Sequence, residues 1–472
     1  MKSAARPFSG IITKDKYFYK TIVHLMSTII LQNIIAYSIN MADNIMLGAY
    51  SQAALSGAAT VNQVQFIVQQ ITIAIGDSVV VIGAQYWGKK NAAPVRTLTI
   101  FALLFGIALG VSVFIWTSAA PRSVLSIFTN NESYIAEGTK YLRLIRFTYP
   151  VFIVTTILLA ALRAVETVTL AMKISALSLV IDVGINYVFI FGKFGFPELG
   201  ITGAAIGTLT ARITELLIVV IYMLTRENKL KLFSRGGKLE KKLFSDYVKV
   251  LWPSFVSNML WSIATPIQTS VLGHLADDAI AANSVSTTVY QYLKIVAVGE
   301  ASASAVLIGK TVGASGNDDT KVKEYTKTLQ AIYIIFGLFL GVAVFFLRIP
   351  FLKLYELTPN AFSIADGMLI VLSFAMVGMS YQMPVSVGII KGGGDVKFIM
   401  YMNLVSTWFI VMPLTFLGAF VWKLHPVAVV AILNSDQIFK CLPVAVRCNR
   451  YKWIKHLANE KEKEPDVLPS KT

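Results

Sequence analysis

The first long apolar stretch of the chain, residues 21–48, carries polar side chains along one side. These side chains are Asn33, Tyr37, Asn40, Asp43 and Asn44. At 100° per residue they form one narrow stripe on a helix, with the aspartate at its border. A stretch of this length predicts a membrane-spanning helix with one face toward lipid or apolar neighbours and the other toward water.

The same arrangement recurs 225 positions later. The polar residues of the second stretch are Asn258, Ser262, Thr265, Gln268 and Thr269. The same offset pairs Leu47-Gly48 with Leu272-Gly273, and Gly88 with Gly313. Two homologous halves around a shared cavity are a usual plan of secondary transporters.

Apolar runs of about 20 residues, enough to cross a bilayer, occur twelve times. They lie near residues 21–48, 55–85, 97–120, 138–162, 168–192, 199–225, 247–272, 279–309, 328–348, 362–390, 398–421 and 425–447. The pattern predicts an all-α integral membrane protein with twelve transmembrane helices in two pseudo-symmetric six-helix lobes.

The polar segments between the apolar runs predict where each lobe begins and ends. The lobes are residues 21–225 and 247–447, joined by a polar, basic linker at 226–246. The remaining segments, 1–20 and 448–472, are predicted to be cytoplasmic tails. We expect the charged segment after Lys452 to be disordered.

Composition agrees with a membrane location, since 55% of the residues are hydrophobic and only 14% are charged. The net charge of +16 does not indicate nucleic acid, because Lys and Arg gather in short loops between apolar runs. With both termini cytoplasmic, the inner loops hold seventeen of these residues and the outer loops eight. The sequence therefore predicts a multi-pass, monomeric protein of the cell membrane.

Enzyme signatures are missing from the sequence. The four histidines have no metal-ligand spacing, and Cys441 and Cys448 suggest neither a disulfide framework nor a metal site. No phosphate-binding loop is found. We expect no enzymatic activity and no cofactor, so that transport would have to run on an ion gradient.

Four acids of the predicted spans are candidates for a functional role: Asp43, Asp77, Asp182 and Glu300. Ionisable groups are costly there and indicate function or a buried pair. A carboxyl in a partly wet, low-dielectric cavity can take up a proton near neutral pH or hold Na⁺. On its helix Asp182 shares a polar stripe with Ser175, Ser178 and Asn186, which favours a cation site, although hydrogen bonding to neighbouring helices is an alternative.

A cavity for the transported molecule is predicted from polar and aromatic residues in the spans. These are Asn33, Tyr37, Asn258, Gln268, Glu300 and Tyr381. Further aromatic and methionine residues that could line it are Phe66, Tyr290, Tyr292, Met376, Met379 and Met383. Aromatic faces attract cations and Met repacks easily. Ordinary helix packing is the alternative for each of them.

Several short motifs occur in a fixed order along the chain. They are the run Asp43 to Gly48, the run Ala84 to Lys90, Ala161 to Glu166, Phe191 to Gly200 with Gly203-Ala204-Ala205 after it, and Lys391 to Asp395. Each motif is loose alone, but in this order and spacing they together resemble the MATE (multidrug and toxic compound extrusion) transporters. The resemblance covers about residues 20–455.

The resemblance implies alternating access between two lobes and export of organic cations or other amphiphiles in exchange for H⁺ or Na⁺. Members with a site in the first lobe use an aspartate on helix one, matched by Asp43, and an Asn-x3-Asp pair on helix five. This chain has that pair reversed, as Asp182-x3-Asn186. Other members carry one acid on helix seven, beside an Asn, and one on helix ten. This chain has the run Asn258-Met259-Leu260-Trp261 on helix seven and Ser380 near the expected acid on helix ten.

Our hypothesis is an ion-coupled exporter in which Asp43 and Asp182, with Asn40, Asn186 and Asp77, bind the coupling ion. Glu300 is a candidate acid for the second lobe. A lipid-linked saccharide flippase of the same superfamily is an alternative, but it would need a strongly cationic cavity. A membrane receptor or scaffold without transport is another.

Overall fold

The computed structural model describes residues 12–232, 240–274, 277–316 and 318–458. Helices make up the regular structure of these segments, with no strand among them. The first half contains α1 (Lys16–Tyr50), α2 (Gln52–Gly88), α3 (Ala92–Ala119), α4 (Pro121–Ser126), α5 (Glu132–Ile145), α6 (Thr148–Ala164), α7 (Thr169–Phe191) and α8 (Ile201–Thr225).

The second half contains several helices that are continued by π-helical turns. Its helices are α9 (Lys241–Gly273), α10 (Asp277–Ser315), α11 (Thr320–Leu352), α12 (Pro359–Met383), α13 (Val396–Asn403), α14 (Met412–Phe416), α15 (Pro426–Asn434), α16 (Asp436–Phe439) and α17 (Cys441–Asn449). The π-helical turns, Pro384–Ile390, Leu404–Val411 and Leu417–Val421, continue α12, α13 and α14.

Each predicted span corresponds to one of these helices or to a run of them. Within the described residues, ten spans are long and apolar enough to cross a membrane, and eleven are if α5 and α6 count as one span. The remaining predicted span, 247–272, lies in the 33-residue helix α9, which does not belong to that set. Its length would still cross a bilayer at 1.5 Å per residue.

The fourth predicted span is bent by 54° between α5 and α6. Pro150 follows the bend and has no backbone N–H to donate to the carbonyl of Arg146, four residues earlier. The missing bond weakens the helix where it bends.

The two halves meet through α1 and α2 on one side and α9 and α10 on the other. Near the ends of α2 and α10, Gly88 faces the backbone of Lys310, and Gly313 faces the backbone of Gln85. These residues are related by the 225-residue offset, so the contact is nearly symmetric. Glycine allows the close approach, because a Cβ on Gly313 would lie 2.7 Å from the Gln85 Cα.

Both ends of the described chain lie on one side of the protein, which we call the terminal side. There, the Tyr325 hydroxyl donates to Asp15 Oδ2 at 2.5 Å, and Lys323 Nζ lies 5.6 Å from the Tyr451 ring centroid. The hydrogen bonds from Tyr325 and from the Tyr17 backbone N–H lower the pKa of the Asp15 carboxyl. The shared side agrees with an even number of spans.

Parts of both predicted tails pack against the helices in the described part of the chain. Helix α1 begins at Lys16, and Thr13 is buried with its backbone N–H donating to Thr328 Oγ1 at 2.9 Å. The expectation of disorder after Lys452 is wrong as far as residue 458, because Trp453 is fully buried. Residues 1–11, 233–239 and 459–472, which belong to the predicted tails and linker, lie outside the described residues.

Candidate coupling-ion and substrate site

Two carboxylates of the first half are joined by one amide. Asn186 Nδ2 on α7 donates to Asp43 Oδ1 on α1 at 2.7 Å and to Asp182 Oδ2 at 3.1 Å. Asp182 and Asn186 are fully buried, and Asp43 is half-buried. The structure therefore brings together the three residues on which the coupling hypothesis mainly depends, in spite of the reversed order on α7.

The α7 stripe is placed by the packing of α7 against α1 and α8. Ser175 and Ser178 are buried with Asp182 and Asn186, so the polar face points inward and the apolar faces point outward. Gly207 on α8 makes room for the amide, because a Cβ there would overlap with Asn186 Oδ1. A larger residue at this position would displace the bridging side chain.

Further buried oxygens surround the two carboxylates. They are Asp182 Oδ1 and Asn186 Oδ1, and Thr208 Oγ1, which lies within hydrogen-bonding reach of Asp182. Such oxygens are the ligand type that Na⁺ takes, and a protonated carboxyl could instead donate to one of them. The surroundings therefore fit either coupling ion.

A buried ion pair lies next to this site on α8. Arg212 Nη1 donates to Glu215 Oε2 at 2.8 Å, and the charge of Arg212 also acts on Asp43 and Asp182. With three carboxyls and one guanidinium, the group carries an excess of negative charge when every acid is ionised. This excess favours the uptake of a cation.

The other predicted polar residues of α1, all in the described part of the chain, form no hydrogen bond with the two carboxylates. Asn40 is exposed, and its amide donates only to the carbonyl of Ala36 in its own helix, at 3.5 Å. Tyr37 is 46% exposed and Asn33 is half-buried. The structure does not place Asn40 in the carboxylate cluster, although it lies one turn before Asp43 on the same helix.

Asp77 is not part of the cluster either. Its carboxylate accepts a hydrogen bond from Lys391 Nζ at 2.7 Å, which joins α2 to the second half. Arg163 and Lys391 line a small cavity beside it. With two cations close by, Asp77 is a partner in an ion pair between the halves.

The predicted cavity residues of the second half are dispersed. Asn258 Nδ2 donates to the Gln70 carbonyl at 3.0 Å, and Gln268 is half-buried. The Tyr381 hydroxyl donates to Gln330 Oε1 at 2.8 Å, inside the second half. Glu300 is fully buried, and neither of its carboxylate oxygens has a hydrogen-bond partner among the described residues.

Sequence reasoning missed several charged residues in the spans of the second half. Asp436 Oδ2 and Lys440 Nζ form a buried ion pair at 2.7 Å, and Lys294 lies half-buried on α10. The spacing of four between Asp436 and Lys440 places them on one helix face and could have identified the pair. Lys294 could have been found by searching the spans for cations as well as acids.

Contacts between the halves are concentrated toward the terminal side. In order from that side they include Asp77 with Lys391, the Tyr247 hydroxyl with the Ile75 carbonyl at 3.1 Å, and the rings of Phe66 and Trp261 at 5.5 Å. The last of these contacts are the Phe66 ring on α2 and the Met41 sulfur on α1, which accepts a hydrogen bond from the Tyr292 hydroxyl at 2.7 Å. Farther from the terminal side, the described residues form no hydrogen bond, ion pair or ring contact between the halves. Asp43 lies two residues after Met41, next to the part of the interface that lacks these contacts.

The chain is similar to known proteins along most of its length. The family model described as MatE matches residues 28–188 and 253–417. The chain is 25% identical over 440 residues to the probable multidrug resistance protein NorM of Thermotoga maritima, covering 92% of this chain and 93% of that protein. It is 23% identical over 363 residues to the probable multidrug resistance protein YoeA of Bacillus subtilis, covering 76% and 78%.

Solved structures share the fold. A multidrug resistance MATE family transporter in its outward-facing conformation superposes with a TM-score of 0.82 at 17% identity, covering 93% of this chain and 99% of that one. A MATE structure in complex with MaL6 gives 0.83 at 16% identity, covering 92% and 97%.

Proposed function

This chain belongs to the MATE family of membrane transporters, and on that premise we propose that it exports organic cations or other amphiphiles by antiport with H⁺ or Na⁺. Family membership confirms the predicted resemblance, the two-lobe helical fold and the expectation that the chain is not an enzyme. The relatives named as probable multidrug resistance proteins support a role in drug efflux.

The bridge from Asn186 to Asp43 and Asp182 carries the proposal. Two carboxylates that share one donor repel each other when both are ionised, so a proton or Na⁺ binds there favourably. Binding neutralises the site and removes its attraction for a cationic substrate. Competition between the ion and the substrate would couple the two fluxes.

Alternating access would follow from the distribution of contacts between the halves. We assign the terminal side to the cytoplasm, on the basis of the Lys and Arg excess in its loops. Closure of this side leaves the far part of the interface as the route to the exterior of the cell. Export then requires the terminal-side contacts to break while the halves rock against each other. We expect a monomer in the cell membrane.

Proteoliposomes that hold the purified protein test the proposal. A fluorescent organic cation should accumulate when a pH or Na⁺ gradient is imposed, and the gradient that supports uptake identifies the ion. Asp43→Asn and Asp182→Asn should each reduce uptake by about tenfold or more, because each removes a charge worth at least about 1.4 kcal/mol of ion binding.

Asp318→Asn is the matched control, since Asp318 is exposed and lies between α10 and α11, outside the spans. It should leave uptake unchanged. Undiminished uptake by both Asp43→Asn and Asp182→Asn would disprove the coupling mechanism. Uptake that responds to neither gradient in the native protein would disprove antiport.

A further inference from the structure

Lys294 lies near the middle of α10, in the middle of a membrane span, without an acidic partner. It is half-buried, and no described residue forms an ion pair or a hydrogen bond with its ammonium group. The ammonium lies 4.6 Å from the centroid of the Trp261 ring. An unpaired charge at this depth is costly, which indicates a function.

The acid whose charge acts on Lys294 is already bound by other groups. Asp436 Oδ2 accepts from Lys440 Nζ at 2.7 Å, and Asp436 Oδ1 accepts from Gln437 Nε2 at 2.8 Å. Both carboxylate oxygens of Asp436 therefore have partners. Apart from the Trp261 ring, the positive charge of Lys294 has no compensating partner among the described residues, so this part of the second half can attract an anion.

A second donor lies one turn away on the same helix face. Tyr290 is four residues before Lys294, and its buried hydroxyl has no hydrogen-bond partner among the described residues. Trp261 on α9 is 39% exposed and also contacts the Phe66 ring of the first half at 5.5 Å. The ammonium and the two aromatic rings thus come together where α2, α9 and α10 meet, and the Tyr290 hydroxyl lies one helical turn away on α10.

We infer that Lys294 and the Tyr290 hydroxyl bind the anionic group of an aromatic amphiphile whose rings pack against Trp261 and Phe66. A carboxylate, sulfonate or phosphate fits these two donors, and a charge-assisted hydrogen bond to Lys294 is the stronger of the two interactions. The inference rests on the proposed export function and narrows its substrate class. With acids on α1 and α7 and a lysine on α10, the two halves suit a zwitterion with separated charges.

The test compares a cationic xanthene dye that carries a free carboxylate with the methyl ester of the same dye. Fluorescence polarisation measures their binding to the purified protein in phosphatidylcholine nanodiscs, without an ion gradient. The acid should bind about tenfold more tightly than the ester, as expected for one charge-assisted hydrogen bond. Lys294→Gln should abolish this preference while ester affinity is kept, which shows that the variant is folded.

Three further variants complete the test. Lys294→Arg keeps the charge and should keep most of the preference, whereas Tyr290→Phe should reduce it by a smaller factor. Lys353→Gln removes an exposed lysine outside the site and should bind both dyes as the native protein does.

Equal affinity for acid and ester, no binding of either dye, or an unchanged preference in Lys294→Gln would each overturn the inference. A lipid headgroup has the same phosphate chemistry. The assignment to a substrate is therefore also wrong if phosphatidylglycerol nanodiscs abolish the acid preference in the native protein. If the native protein binds the acid more tightly than the ester but shows no gradient-driven uptake, the proposed function is contradicted and the anion site is still supported.

Discussion

Asp77 on α2 and Lys391, just after the π-helical turn that continues α12, form an ion pair of 2.7 Å between the two halves. A second pair lies nearby, where Lys310 Nζ donates to Glu166 Oε2 at 2.6 Å and to the Tyr17 hydroxyl at 2.6 Å. In both pairs the acid belongs to the first half and the lysine to the second. These pairs hold the terminal side closed, so the motion that opens it must separate them.

Asp77→Asn should therefore open the terminal side more often. The substitution leaves Lys391, whose side chain is 8% exposed, without its partner, which should destabilise the closed arrangement by about 1–3 kcal/mol. A reporter Ser302→Cys, which lines the adjacent cavity, should react about tenfold faster with a water-soluble thiol reagent. The native Cys441 and Cys448 are first replaced by Ala.

Exchanging the charges, with Asp77→Lys and Lys391→Asp together, should lower the reaction rate of the reporter part of the way back to its value with the native pair. Lys249→Ala, which breaks an exposed pair with Asp246 within α9, should have no effect on the reporter. A reporter rate that is the same with Asp77→Asn and with native Asp77 would show that the pair does not hold the halves together.

The glycine contact between α2 and α10 leads to a second prediction. Gly313→Val should prevent closure of the terminal side, because its side chain would collide with the Gln85 backbone and no flexible group can yield. We expect normal insertion and a loss of gradient-driven uptake of about tenfold or more, since closure is required in each transport cycle. Gly273→Val is the control, because a Cβ at Gly273 meets no atom within 4 Å. Equal activity of the two variants would contradict the role of close packing.

The sequence predicts the fold well because membrane spans leave a strong signal in composition. Each of the twelve runs corresponds to helix, and the 225-residue offset identifies Gly88 and Gly313, which make equivalent contacts at the interface. What the pattern does not reveal is where a span bends or how far a helix extends. Helix α10, for example, runs to Ser315, beyond the predicted end at 309, because its last turns pack against α2.

The candidate site could be predicted only in part. Periodicity places Asp182 and Asn186 on one face, but it does not reveal which neighbouring helix that face meets, so the bridge to Asp43 needs coordinates. The partner of Asp77 is 314 residues away in the chain. Lys391 belongs to a loop in the sequence pattern, and no local rule connects it to an acid on α2.

Gly207 provides a test of the amide bridge. Gly207→Val should displace Asn186, whose amide oxygen occupies the space of the new side chain, and should reduce uptake as strongly as Asn186→Leu. The reason is the same in both variants, since Asp43 and Asp182 lose their shared donor. Gly184→Val on α7 is the control, because a Cβ at that position meets no atom within 4 Å. If Gly207→Val transports like the control, the bridge is not needed for coupling.

The segment after α17 connects the halves on the terminal side. Gln85 Nε2 donates to the Lys455 carbonyl at 3.0 Å, and its Oε1 accepts from the Leu457 backbone N–H at 2.8 Å. Lys455 Nζ also donates to Asp395 Oδ1 at 2.5 Å. The fully buried Trp453 anchors the segment, with its indole N–H donating to the Cys448 carbonyl at 2.7 Å.

Trp453→Ala should lower the thermal stability of the purified protein markedly, because removal of a large buried side chain costs about 3–5 kcal/mol. Lys452→Ala, at the exposed neighbouring position, should leave the unfolding temperature unchanged. Gln85→Leu removes both hydrogen bonds to the segment without emptying a cavity, so it should mainly accelerate modification of the Ser302→Cys reporter. A reporter that reacts at the native rate in Gln85→Leu would show that the segment stabilises the second half alone and does not help to keep the terminal side closed.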